Sequence, residues 1–210
     1  LELGVVVVAT SNRHPDELYK DGLQRDLFLP FIKLIKAKMG ILHLQAGKDY
    51  RLDRIKAIKT YIQPADHKST LLLEQIYHDL TDGNLGKREV IEFKGRNINV
   101  PRVSGAVAFF SFGDLCSIPL GAGDYLLIAK RFRSIIISDV PIMTSQNQDL
   151  ARRFMVLIDA LYESKTHLVM SAAADPTNLY KGGDWGFEFD RTISRLLEMQ
   201  SVDYIETSRQ

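Results

Sequence analysis

The stretch Val5-Val6-Val7-Val8-Ala9-Thr10-Ser11-Asn12-Arg13-His14-Pro15 decides the fold class. Residues 4–10 form a β-branched run without polar alternation, the pattern of a strand covered on both faces in a parallel sheet. Thr10, Ser11 and Asn12 end that run with small polar side chains. Pro15 suits a first helical turn, and Asp16 and Glu17 suit the positive end of a helix dipole. Residues 27–39 read as helix, with Pro30 expected to start a fresh helix or kink one and Gly40 to stop it. Residues 41–44 read as the next strand. Strand, helix and strand make an α/β crossover, right-handed by default.

Further along, the texture changes and then returns. Tyr50-Arg51-Leu52-Asp53-Arg54 is charged, residues 64–69 are turn-rich, and residues 71–80 predict a short amphipathic helix. Residues 87–100 predict two short strands around Gly95-Arg96-Asn97, a hairpin, followed by a strand at 106–112. The α/β pattern resumes with a helix at 124–132, a strand at 134–138, a helix at 148–163, a strand at 167–171 and a helix at 189–200. Leu150, Phe154, Leu157, Ile158 and Leu161 recur at helical spacing and mark a core-facing stripe. No segment is low-complexity, and no Gly/Ser linker divides the chain.

Composition narrows the function. The chain has 210 residues, 45% of them hydrophobic, with 27 Lys+Arg against 26 Asp+Glu, a net charge of +1, and a single cysteine. That balance argues against a nucleic-acid clamp, and one cysteine excludes an internal disulfide framework. No apolar run approaches the roughly 20 residues of a membrane span. The chain opens without an initiator Met, directly in an apolar run, so a front segment is expected upstream.

Two stretches echo each other without gaps: VVVVATSNRHPDELYKDG at 5–22 and THLVMSAAADPTNLYKGG at 166–183. A buried strand entering a helix accounts for such likeness through packing alone; a duplicated α/β unit with a drifted second copy accounts for it through descent. Asn12 of the first stretch stands opposite Ala173 of the second.

A polar side chain at the tip of a central strand can orient an attacking water or a γ-phosphate, which makes Asn12 a candidate for phosphoryl chemistry. Arg25 is a candidate for stabilising phosphate charge in an adjacent subunit. The plain alternatives are a helix cap for Asn12 and a surface ion pair with Asp21 or Asp26 for Arg25. The phosphate cradle G-x-x-x-x-G-K-S/T is absent: Gly83-Asn84-Leu85-Gly86-Lys87-Arg88 has its glycines too close and lacks the hydroxyl residue. Ile135-Ile136-Ile137-Ser138-Asp139 has the apolar strand and aspartate of a magnesium-holding motif, but Val140 follows where a glutamate is usual. Cys116 reads as a buried small hydrophobe, and the five histidines show no metal-binding spacing. Lys33, Lys36, Lys38, Arg51 and Arg54 form a modest basic cluster of the kind solvated helix faces carry.

Five segments together resemble one family: ATSNRHPDELYKDGLQRDLFLPFI (9–32), DYR (49–51), FxxLCxxPLGAGDY (112–125), ARRFMVLIDALYE (151–163) and FDRTISRLLEMQS (189–201). The chain resembles the ZapE family of AAA+ ATPases, associated with bacterial cell division and having mitochondrial relatives linked to protein quality control. The resemblance implies the rear part of a P-loop AAA+ core over 1–48, a helix and β-hairpin insertion over 49–112, and a C-terminal α/β unit over 113–210, a degenerate repeat on the duplication account. It implies Asn12 as the sensor-1 residue and Arg25 as the arginine finger, with Arg152, Arg153 and Arg195 as unranked sensor-2 candidates. ATP and Mg2+ are the implied cofactors. A protein partner from the division or quality-control machinery, self-oligomers, and a cytoplasmic or mitochondrial location are implied with them. Walker A and B would lie upstream, leaving these 210 residues by themselves without ATP turnover. Two other classes remain open: a non-enzymatic interaction module with a degenerate P-loop-like fold, and a nucleic-acid-linked ATPase using the basic cluster.

Overall fold

A computed structural model describes residues 8–9, 11, 14–18, 20, 25–42, 59–93, 95–183 and 185–207. The chain divides into two units, Leu1–Gly47 and Lys48–Gln210.

In the first unit, Pro15–Glu17 form one short 3-10 turn, with Pro15 leading it and the His14 side chain accepting from the Asp16 amide. Helix α1 spans Arg25–Lys38 without a break, so Pro30 stands inside the helix and does not start a new one. Proline there removes one amide donor to the carbonyl of Asp26. The helix nevertheless continues, with the rings of Phe28 and Phe31, which flank Pro30 in the chain, 5.2 Å apart. Ile32 is buried, and Gly40 follows the helix end. Of the strand expected at 41–44, Ile41 and Leu42 carry no strand pairing, and 43–44 lie outside the described residues. The strand expected at 4–10 also falls outside them, apart from Val8 and Ala9.

The second unit holds β1 (Tyr61–Ile62), β2 (Lys87–Phe93), β3 (Arg96–Ser104), β4 (Val107–Ser111), β5 (Ser134–Val140), β6 (Met143–Thr144), β7 (His167–Ala172) and β8 (Tyr180–Lys181). Its helices are α2 (His67–Leu80), α3 (Ala122–Arg131), α4 (Gln148–Glu163), α5 (Gly186–Glu198) and α6 (Val202–Thr207). Six strands make one sheet in the order β1-β7-β5-β4-β3-β2, and β6 pairs with β8 in a small second sheet. The β1-β7, β7-β5 and β5-β4 pairs are parallel; β4-β3 and β3-β2 are antiparallel. Strands from 49–112 and from 113–210 therefore stand in the same sheet.

Burial explains the arrangement. Residues 134–138 and all of β7 are buried, the state that a continuous apolar run predicts for a central parallel strand. Helix α2 covers one face, packing Leu73, Ile76 and Tyr77 with Val107, Ile136 and Val169. Helices α3, α4 and α5 serve the other core, which takes in Phe110, Ile135, Ile137 and Met170. The predicted stripe on α4 is there, with Phe154, Leu157, Ile158 and Leu161 fully buried.

Helix α2 starts four residues earlier than its periodicity predicts, because Asp66 and Ser69 form a reciprocal cap. Strand β1 was missed because two residues carry no periodicity; its Thr60 carbonyl and register against Met170 and Ser171 make it a strand. The hairpin forms as predicted, with Gly95 in the left-handed region at φ 74°. No described helix is long and apolar enough to cross a membrane.

Candidate functional site

Asn12 lies outside the described residues. Arg25, the first residue of α1, is half-buried, and its Nη2 donates to the carbonyl of Asp16 at 2.7 Å. Its Nε is buried without a hydrogen-bond partner. The Asp16 carboxylate in turn accepts two contacts from Lys36 Nζ, at 2.8 and 2.9 Å. One residue thus ties the short turn to both ends of α1, since Arg25 and Lys36 sit about three turns apart on the same helix face. The hydrogen bond from Lys36 holds the Asp16 carboxyl below its ordinary value, against a smaller opposing desolvation. The pair is therefore complete above the usual aspartate range and is lost only as pH falls below it. Asp16 and Lys36 were not legible as a pair: twenty positions separate them, with a turn between, and no periodicity rule links residues that far apart.

In open α/β sheets, ligands gather at the carboxyl ends of the parallel strands. Those ends are closed in the second unit. The Asp139 amide donates to Ser171 Oγ at 3.0 Å, the Ala173 amide to the Val140 carbonyl at 2.8 Å, and Tyr61 Oη to the Ala174 carbonyl at 2.7 Å. The Asp66 carboxylate takes the Ser69 amide at the start of α2, the place where a phosphate would sit in a strand-loop-helix cradle. Asp139 is exposed, in the left-handed region at φ 61°. Among the described residues no group of three or more His, Cys, Asp or Glu side chains is placed to hold a metal ion.

The three further arginines are all placed in the second unit. Arg195 on α5 is ion-paired to Asp159 and, at 2.8 Å, to Glu163 of α4, and lies over the Tyr162 ring. Arg153 Nη1 donates to the Cys116 carbonyl at 2.9 Å. Arg152 is exposed, its guanidinium 5.9 Å from the Trp185 ring. Arg195 and Arg153 thus fasten α4 to its neighbours.

The segment Leu120-Gly121-Ala122-Gly123-Asp124-Tyr125 reads here as a fastening. Asp124 is buried and accepts from the Gly121 amide at 2.8 Å and from Arg96 of the hairpin at 3.0 Å. A Cβ on Gly123 would meet the Phe93 ring at 3.3 Å, so glycine lets the hairpin close on α3. Tyr125 Oη donates to the Leu115 carbonyl at 2.8 Å. Cys116 between them is fully buried, and burial pushes its thiol up to about 12. A disulfide reagent at pH 8 is therefore expected to label no thiol in the native protein and one after denaturation. Rapid native labelling would place Cys116 at the surface.

A mostly parallel six-stranded sheet flanked by helices is the arrangement of a P-loop AAA+ type of fold. The model of the AFG1-like ATPase family matches residues 1–208, and the chain belongs to that family. It is 35% identical over 203 residues to the cell division protein ZapE of Escherichia coli strain K12, covering 97% of this chain and 54% of that protein. It is 36% identical over 236 residues to lactation elevated protein 1 homolog B of Danio rerio, covering 96% of this chain and 47% of that protein. The chain spans about half the length of the curated relatives it matches. No solved structure matches it.

Proposed function

We propose that these residues supply the sensing and neighbour-acting part of an ATPase that drives work on a protein partner. The observation that carries this is Arg25: a permanently charged guanidinium at the start of α1, held by one backbone carbonyl, with a buried donor still unpaired. That chemistry fits the developing charge of a transferred phosphoryl group on an adjacent subunit. Asn12, at the end of the apolar run, offers an amide that can orient a water. ATP with magnesium supplies the reactive phosphate. Its cradle belongs to residues outside these 210, which contain no G-x-x-x-x-G-K-S/T. Self-assembly follows, because an arginine acting on a neighbour's site requires a neighbour. The name of the Escherichia coli relative, a cell division protein, supports a partner in the division machinery.

The test is Asn12→Ala in the full-length protein. Hydrolysis is expected to slow by about 10- to 100-fold, with ATP affinity kept within a few-fold. Lost affinity with an unchanged turnover number would remove Asn12 from the chemistry.

A further inference from the structure

The same backbone design is built twice in this chain. Pro15 leads a three-residue turn capped by His14, and Pro176 leads a three-residue turn capped by Asp175. Aligned without gaps from these prolines, Leu18 falls on Leu179, and the first residue of α1, Arg25, falls on the first residue of α5, Gly186. The packing positions are kept as well: Phe28 matches Phe189, Ile32 matches Ile193 and Ile35 matches Leu196. Phe189 and Leu196 are buried, as Ile32 is.

Among the replaced positions are three that are in contact through Asp16. Asp16, and Arg25 and Lys36 that both contact it in the first unit, become Thr177, Gly186 and Leu197 in the second. Proline, leucine and the apolar stripe suffice to build the turn and helix, since the second unit builds them without the other three. The Asp16–Lys36 pair is also well exposed, at 53% and 45% of the side chains, so it adds little to stability. Most other positions over 15–38 differ between the two stretches as well, so it is geometry that assigns the pair: the residue whose carboxylate Lys36 grips is the residue whose carbonyl holds Arg25.

We infer that Asp16 and Lys36 are positioning residues for Arg25, an inference that rests on the arginine-finger role proposed above. Lys36 grips the Asp16 carboxylate and pins the short turn against α1; the carbonyl of that same Asp16 then holds Arg25 Nη2. With the turn pinned, the guanidinium meets the phosphate already oriented. Without the pin, the carbonyl and the guanidinium it holds move with the turn, and misplacement of about 1 Å costs turnover rather than binding.

The experiment is a kinetic cycle in the full-length protein. Asp16→Asn and Lys36→Met are each expected to lower kcat about tenfold, with KM for ATP within about twofold. Lys36→Arg keeps the ion pair and is expected to retain kcat. The thermal midpoint is expected to stay within about 2 °C for all three. Added to Arg25→Ala, Asp16→Asn is expected to cause no further loss, because it acts only through that arginine. If Arg25→Ala lowers kcat while Asp16→Asn and Lys36→Met do not, the positioning inference fails and the finger role stands. If Arg25→Ala leaves kcat intact, the proposed function fails and takes the inference with it. Full additivity of the losses, or a fall in kcat that tracks a fall in thermal midpoint and is not spared by Lys36→Arg, overturns the inference alone.

Discussion

Replacing Arg25 by alanine in the full-length protein is expected to lower kcat for ATP hydrolysis by about a thousandfold, the low end of what an arginine finger contributes. KM is expected to change little, because the arginine acts on charge that develops during transfer and not on ground-state binding. Lysine at this position is expected to rescue poorly: it lacks the planar fork and the Nη2 that meets the Asp16 carbonyl. The decisive measurement is complementation. Arg25→Ala subunits keep their own Asn12, and Asn12→Ala subunits keep their own Arg25. Mixed equally in a head-to-tail assembly, the two impaired variants are expected to rebuild about a quarter of the sites at their junctions. A mixture as inactive as either parent would show that Arg25 serves its own subunit.

The second large effect is on stability. Phe154 is fully buried in α4, its ring 5.9 Å from Phe112 and 6.5 Å from Phe189, which in turn stacks on Tyr180 at 5.1 Å. That chain of rings links the loop after β4, the middle of α4, the start of α5 and the small β6-β8 sheet. Phe154→Ala removes the ring that joins both halves and leaves a cavity that neighbours in regular structure cannot collapse to fill. A loss of about 3–5 kcal/mol is expected. The thermal midpoint should fall by about 10 °C in a chain of this size. A fall of only about 2 °C would mean that this core is loosely packed or that Phe112 and Phe189 close the gap. Phe154→Leu, which retains most of the volume, is expected to cost less than half as much.

Much of the second unit was legible from spacing. Helix α4 appears over the residues that its stripe marks, and β5 and β7 appear where uninterrupted apolar runs stand. These elements obey local rules because each buries a face whose period is written in consecutive residues. The start of α2 was misplaced for an equally local reason, since the cap from Asp66 adds a turn that carries no apolar signal. Pro30 was expected to start a fresh helix or kink one; it starts none, because one lost amide does not end a helix whose other contacts persist. Strands β1, β6 and β8 span two residues each and exist only through their pairing partners.

The candidate site divides along the same line. Asn12 and Arg25 are singled out through the resemblance carried by residues 9–32; by spacing alone each has a plain alternative, a helix cap for Asn12 and a surface ion pair for Arg25. Ala173 opposite Asn12 was visible in the chain, whereas Gly186 falls opposite Arg25 once the turns led by Pro15 and Pro176 are aligned. The sequence by itself determined the α/β class and the family, and it offered Asn12 and Arg25 as the residues proposed to act on phosphate charge. Tertiary structure alone decided that Asp16 grips Lys36 while presenting its carbonyl to Arg25, that Asp66 and Tyr61 close the corner of the second unit, and that Arg195 and Arg153 are engaged in fastening helices. The physical reason is range. Strand and helix periods are properties of neighbours in the chain, whereas a carbonyl's choice of arginine is settled by which turn comes to rest against which helix.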